Sequence, residues 1–98
     1  VANRPDYAQA HFNLGRTMMQ RDRPADAIRE FRLALGEETF RTPTYLATMA
    51  SAYTRLGQIS EAADTLELAR RMAQQYEQDD IVEMIDSDIN RLAARSAP

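Results

Sequence analysis

The sequence predicts an all-α fold, an α-solenoid of two helical hairpins followed by a C-terminal capping helix, about five helices in all. Glycine and proline are scarce, with three and four copies. Alanine, leucine, arginine and glutamate recur throughout, and these residues favour helices by intrinsic propensity. The chain also repeats a pattern of key residues at an offset of 35. A period of this length is typical of stacked helical hairpins.

The internal repeat relates residues 8–41 to residues 43–76. Within each unit, successive key positions are separated by three, one, three, four, five, four and three residues. In the first unit these positions are His11, Leu14, Gly15, Met18, Asp22, Ala27, Phe31 and Ala34. In the second unit they are Leu46, Met49, Ala50, Tyr53, Gly57, Ala62, Leu66 and Ala69. The chain therefore contains two copies of one structural unit.

This pattern resembles the tetratricopeptide repeat over residues 8–76. The direct matches are Leu14-Gly15, Ala27, Phe31 and Ala34 in the first unit and Tyr53, Gly57, Ala62 and Ala69 in the second. The chain departs from the family pattern at four places: His11 and Leu46 in place of tryptophan, Met18 in place of an aromatic residue, and Met49-Ala50 in place of Leu-Gly. The resemblance implies two helix-turn-helix units that stack into a solenoid.

The periodic segments predict helices at about 8–20, 24–36, 43–56, 60–77 and 79–95. Prolines and hydroxyl residues mark three helix starts: Pro24 just inside the second, Thr42-Pro43 at the third and Ser60-Glu61 at the fourth. Asp80 and Glu83 have the spacing of a capping box. Gly57 and Asp22 occupy equivalent helix ends, where we expect a positive φ.

Small residues indicate close helix crossings. Gly15 costs about 1 kcal/mol relative to alanine in mid-helix, and we expect it where a neighbouring backbone approaches. The alanines of the repeat suit the same geometry. Two predicted apolar stripes fill the core: Leu14, Met18, Ile28, Phe31 and Leu35, and then Leu46, Met49, Tyr53, Leu66 and Met72. The predicted capping helix presents Ile81, Ile85, Ile89 and Leu92 on one face, with Met84 beside them.

The two ends of the chain suggest a longer parent protein. Pro5 lies where the terminal proline of a preceding repeat would fall. We therefore expect further repeats upstream, so that this domain, residues 1–98, forms the C-terminal part of a repeat protein. Ser96-Ala97-Pro98 would then lie near the end of that protein.

Composition excludes several classes of function. The chain has no cysteine, which excludes disulfides and thiolate chemistry. Its formal net charge is −3, and all 12 basic residues are arginine, so we expect no nucleic-acid partner. No apolar run approaches the roughly 20 residues that span a bilayer, so we expect no membrane insertion. Cytoplasmic and periplasmic locations are both compatible with the sequence.

The sequence offers little support for catalysis or metal binding. His11 is the only histidine, and we expect it to pack as the large residue of its repeat position. The acids between Glu77 and Asp88 lack the glycine-containing loop of a calcium site and are expected to form a solvated face. We therefore predict no catalytic residue, no metal site, no cofactor and no enzymatic activity.

The resemblance to tetratricopeptide repeats implies a concave groove, lined by the first helix of each unit, that binds a peptide or a partner helix. The groove residues would be Gln9, Phe12, Arg16, Met19, Gln20, Thr44, Ala47, Thr48, Ser51 and Arg55. We expect that core packing does not need Phe12 and Met19, so that both side chains are exposed in the groove and anchor the ligand. A protein or peptide partner is thus the leading prediction. The alternative is a structural homo-oligomer, formed through the exposed N-terminal hairpin.

Overall fold

The computed structural model describes residues 5–96 of the chain, and these residues form five α-helices and no strand. The helices are α1 (Pro5–Gln20), α2 (Pro24–Ala34), α3 (Thr42–Arg55), α4 (Ile59–Gln75) and α5 (Asp79–Ser96). The all-α prediction is confirmed over this range. Within it, no helix has both the length and the apolar character needed to cross a membrane.

Each helix packs against the next one along the chain, and α3 also contacts α5. On its other side, α3 lies beside α1, where the rings of Phe12 and Tyr45 are 4.6 Å apart. The odd-numbered helices α1, α3 and α5 are therefore neighbours in a row, with α3 in the middle.

The ends of α1 and α3 have the same backbone geometry at the 35-residue offset. Asp22 and Gly57 both adopt left-handed backbone conformations, with φ of 58° and 77°, as predicted. In each turn the next amide donates to a carbonyl five residues back: Arg23 to Met18 at 2.8 Å and Gln58 to Tyr53 at 2.9 Å. This is the Schellman arrangement, which satisfies carbonyls left open at a helix end. These two turns therefore share one backbone conformation at the offset of the sequence repeat.

A third helix end, which the sequence pattern did not indicate, uses the same turn. Glu77 follows α4 with a φ of 56°, and the amide of Gln78 donates to the carbonyl of Ala73 at 2.9 Å. Glutamate is an unusual residue for the left-handed region, because its Cβ is crowded there. Nothing in the residue type therefore marked this position in advance.

Gly15 allows a ring, and not a neighbouring backbone, to approach α1. A Cβ at Gly15 would lie 2.4 Å from Cε1 of Phe31 on α2. The predicted close approach is thus real, but the expected partner was wrong. Phe31 is fully buried in this position, so the glycine and the aromatic residue of the repeat are a matched pair.

The core combines these rings with small residues. The repeat alanines 27, 34, 50, 62 and 69 are all buried, as expected, and Ile85 of α5 is fully covered. Two residues of the predicted apolar set are not covered: Leu14 is 42% exposed and Met84 is 45% exposed. Leu14 lies on the side of α1 opposite Phe12, whose ring packs against Phe31 of α2 and Tyr45 of α3.

Three predicted caps are wrong, although the helices begin close to the expected positions. α3 begins at Thr42, whose hydroxyl accepts a hydrogen bond from the amide of Thr39 at 2.8 Å, outside the helix. α4 begins at Ile59, so Ser60 is already inside it. Asp80 is the second residue of α5 and not the residue before it. The prediction of Pro24 at the start of α2 is confirmed.

The remaining differences concern helix ends. α1 begins at Pro5, three residues before the predicted start, so this proline opens the helix. α2 and α4 each end two residues earlier than predicted, at Ala34 and Gln75. Of the three terminal residues 96–98 singled out in the sequence, the last two lie outside the described residues.

Candidate functional site

The predicted groove residues lie along α1 and α3, and Phe12 is the one whose placement differs most from the prediction. Phe12 is 7% exposed, with its ring 4.6 Å from that of Tyr45 and 5.7 Å from that of Phe31, measured between centroids. Its side chain joins α1 to both neighbouring helices. The prediction that the core does not need Phe12 is therefore wrong, because its side chain is part of that core.

Gln9 is occupied by contacts within the chain. Its Oε1 accepts hydrogen bonds from Arg41 Nη1 at 2.7 Å and from the Tyr45 hydroxyl at 3.2 Å. Its Nε2 donates to Oδ1 of Asn13 at 3.1 Å. Gln9 therefore ties the first turns of α1 to the start of α3.

Arg55 makes the corresponding connection at the other end of these helices. Its Nη1 donates to the carbonyl oxygen of Met19 at 2.7 Å and lies 4.0 Å from the carboxylate of Asp22. This carbonyl belongs to the last turn of α1, where helices leave acceptors without an intrahelical donor. Arg55 thus has a structural use that the sequence did not reveal.

Three other predicted residues of α1 remain partly or fully accessible. Arg16 and Gln20 are exposed, while Met19 is half-buried and packs against the core. The guanidinium of Arg16 lies 5.9 Å from the centre of the Phe12 ring, within reach of a cation–π interaction. On this helix, the arginine is the residue best placed to meet a ligand.

On α3, the predicted residues differ in accessibility. Ala47 is buried, and Thr44 and Thr48 are half-buried, with the Thr48 hydroxyl donating to the carbonyl of Thr44 at 2.9 Å. Ser51, one turn further on, is exposed. Ser51 also borders an open cleft between α3 and α5, which makes it the best placed of the predicted α3 residues.

The cleft between α3 and α5 has a volume of about 270 Å³. Buried Ala47, Ala50, Leu66 and Leu92 supply its apolar floor. Polar side chains form the rim: Ser51 and Thr54 on α3 and Asp88, Arg91 and Arg95 on α5. The cleft is open to solvent and combines an apolar floor with a polar rim, an arrangement also found in protein interfaces.

The rim on α5 carries more positive than negative charge. Arg91 forms an ion pair with Asp88 one turn before it, which neutralises both groups. Arg95 is exposed and has no hydrogen-bonding or ion-pair partner among residues 5–96. One uncompensated guanidinium therefore stands beside an apolar floor.

The sequence pattern did not indicate the α5 part of this cleft. It assigned α5 to capping, and the apolar period of α5 did identify Leu92 as a packing residue. Arg91 and Arg95 lie one helical turn apart and flank Leu92. That spacing was a readable signal that the polar face of α5 borders an apolar one. What the sequence could not supply was the position of this face beside α3.

His11 and the acidic residues near α5 are either paired with another side chain or exposed to solvent. His11 is half-buried, and its Nδ1 lies 2.9 Å from Oε1 of Glu30 on α2, so it makes a polar connection between helices and is more than a packing residue. Of the acids near α5, Asp86 pairs with Arg70 at 2.5 Å and Asp88 with Arg91, while Glu77, Asp79, Asp80 and Glu83 are exposed. Within the described part of the chain, no group of three or more His, Asp or Glu side chains could hold a metal ion.

Comparison with models of known protein families gives no match to this chain. Comparisons with curated proteins and with solved structures give none either.

Proposed function

We propose that this chain is a protein-binding scaffold of the tetratricopeptide type, which binds a peptide or a partner helix and performs no catalysis. The observation that carries the proposal is the open cleft between α3 and α5, with its apolar floor and arginine-bearing rim. An apolar peptide side chain placed on the floor would be removed from water, which is favourable. The polar rim would bind the polar groups beside that side chain.

The order of the helices supports this function. First helices of repeated units line the groove in tetratricopeptide proteins, and in this chain the odd-numbered helices are neighbours. The α1–α3 part of that row is closed by Phe12 against Tyr45, by Gln9 with Arg41 and by Arg55 on the Met19 carbonyl. Among residues 5–96, the α3–α5 part has no such closure. The proposed binding surface is therefore displaced toward α5 relative to the sequence prediction.

The proposed surface consists of the cleft and the accessible residues that continue it along α3 and α1. Its members are Ser51, Thr54, Asp88, Arg91 and Arg95 on the rim, with Thr44, Thr48, Arg16 and Gln20 toward α1. Gln9, Phe12, Met19 and Arg55 are assigned a supporting role, because their described contacts are within the chain. No cofactor enters the proposal, and its ligand is a protein segment.

A selection from a random peptide library, displayed on phage and panned against the purified chain, tests the proposal. Selected peptides should lose at least ten-fold in affinity when Arg95 is changed to glutamate or Ser51 to arginine, since either change alters the rim. Arg29→Glu is the matched control, because Arg29 is an exposed arginine on α2, outside the cleft. The proposed function would be contradicted if the selected peptides bound both rim variants with unchanged affinity, or if the selection yielded no binder.

A further inference from the structure

The charges of the chain are distributed unevenly around the cleft between α3 and α5. The whole chain has a formal net charge of −3. Nevertheless α3, which forms one wall of the cleft, contains no acidic residue. In α5, which forms the other wall, the acidic residues all lie between Asp79 and Asp88, and the two arginines follow them at Arg91 and Arg95. Only the second half of α5 borders the cleft, so two positive charges and one negative charge lie on its rim.

Arg95 and Ser51 are the rim residues available to bind an anion. Both are exposed, and among residues 5–96 neither side chain has a hydrogen-bonding or ion-pair partner. A guanidinium offers several N–H donors and a hydroxyl offers one more. A carboxylate only accepts hydrogen bonds, and its bonds to a charged donor are stronger than those between neutral groups. The unused groups of the rim therefore complement a carboxylate.

Asp88 already supplies one carboxylate to this rim. Asp88 and Arg91 both line the cleft and form an ion pair one turn apart on α5. The side chain of Arg91 is still 76% exposed, so N–H groups that Asp88 does not use can reach a second acceptor. Asp88 is thus a competitor within the chain for any acidic ligand of the cleft.

We propose that the segment bound in the cleft is acidic, with an apolar side chain on the floor and the carboxylate of a neighbouring aspartate or glutamate on Arg95. This inference rests on the proposed function and specifies the chemistry of the bound peptide. The cleft, at about 270 Å³, is smaller than the roughly 300–1,000 Å³ of sites that enclose a small molecule, so rim contacts contribute a large share of the binding. A basic segment is disfavoured, because Arg91 already neutralises Asp88.

Peptides selected from the random library test the inference when they are synthesised with acetylated and amidated ends. The blocked ends remove the terminal carboxylate, so a preference for acids comes from side chains. Each peptide is compared with its amide form, in which asparagine replaces aspartate and glutamine replaces glutamate. We expect acidic residues to be enriched beside an apolar one. The amide form should bind at least about three-fold more weakly at low salt, and the difference should shrink as salt screens these exposed charges.

Two substitutions test whether the rim causes this preference. Arg95→Gln should largely remove the difference between the acidic and amide forms. Asp88→Asn should strengthen binding of the acidic form about two-fold or more, because it releases Arg91 from its ion pair. The matched controls Arg71→Gln and Asp64→Asn make the same charge changes at exposed positions of α4 outside the cleft. Both controls should leave the difference unchanged.

The outcomes separate this inference from the proposed function. If the acidic and amide forms bind equally well and Ser51→Arg weakens both, the cleft binds peptides without regard to acids, and only this inference is overturned. Equal effects of Arg95→Gln and Arg71→Gln also overturn it, because the preference then reflects the overall charge of the chain. A selection without any binder contradicts the proposed function, and this inference fails with it.

Discussion

The ring of Phe31 occupies the space that a side chain on Gly15 would need. A Cβ on that glycine would lie 2.4 Å from Cε1 and 2.6 Å from Cδ1 of the ring, well inside van der Waals contact. Phe31 is fully buried and also contacts Phe12, so it has little room to withdraw. This pair determines how closely α1 and α2 approach.

Gly15→Ala should lower the free energy of unfolding by about 1–3 kcal/mol, because the added methyl group overpacks the core. The direction is informative, since alanine in mid-helix would otherwise be favoured by about 1 kcal/mol over glycine. Urea unfolding measures the change. Phe31→Leu removes the ring. In that background, Gly15→Ala should lower the free energy of unfolding by less than it does in the unaltered chain. Additive effects of the two changes would show that the ring and the glycine are not a matched pair.

Ala62→Leu should destabilise the protein by about 1–3 kcal/mol, because Ala62 is fully buried and the added atoms have no space. Ala25→Leu is the control, since Ala25 is an exposed helical alanine on α2. The control should change the free energy of unfolding by less than about 0.5 kcal/mol. Similar effects for the two variants in chemical denaturation would mean that Ala62 does not lie at a close crossing.

Glu77→Gly should raise the free energy of unfolding by about 0.5–1 kcal/mol. A residue with a side chain costs about 1–2 kcal/mol in the left-handed region, and glycine at position 77 removes that cost. Glycine also makes the unfolded chain more flexible, which stabilises the unfolded state and offsets part of the gain. Gly57→Ala tests the same effect in reverse. No atom lies within 4 Å of the added Cβ, so any loss of stability comes from the backbone alone. A stabilising Gly57→Ala or a destabilising Glu77→Gly, measured by thermal unfolding, would contradict this account.

These positions show what the sequence could and could not predict. Residue type predicted the left-handed turns at Asp22 and Gly57, because aspartate and glycine tolerate positive φ, but it could not predict the same turn at Glu77. Periodicity predicted the five helices, the buried alanines and most of the core. It could not show which face of α1 meets a neighbouring helix. Phe12 was therefore expected outside the core and is buried, whereas Leu14 was expected in the core and is exposed.

The candidate site was harder to predict than the fold, because it depends on contacts between distant segments. Ser51 was identified from its place in the repeat, and it borders the cleft. Arg91 and Arg95 reach the same cleft only because α5 packs across α3 and α4, which no local pattern contains. Similarly, Arg55 was predicted to meet a ligand, but it donates to a carbonyl 36 positions away.

The pKa of Tyr76 should be raised above its ordinary value of 10.0. Its hydroxyl donates to Oε2 of Glu38 at 2.9 Å, a bond that favours the neutral phenol; partial burial and the negative charge of Glu38 act in the same direction. Because the pKa is higher in the folded state, the stabilising contribution is complete below the pKa of the unfolded chain. It is lost as the pH rises through the folded value.

Tyrosinate absorbance near 295 nm, recorded as the pH is raised, measures this pKa. The change Glu38→Gln should lower the midpoint for Tyr76, because the carboxylate is removed. Glu37→Gln is the control, as Glu37 is exposed and neighbours Glu38 in the chain without being a cause of the shift. Equal titrations for Glu38→Gln and the unaltered chain would show that the hydrogen bond does not control Tyr76.

Chemical-shift mapping of a selected peptide on the isotopically labelled chain tests the proposed binding surface most directly. We expect amide and methyl shifts to concentrate at residues that line the cleft: Ala47, Ser51 and Thr54 of α3 and Leu92 and Arg95 of α5. Saturable shifts confined to the outer residues of α2 and α4, such as Leu33 and Leu68, with none at the cleft, would contradict it.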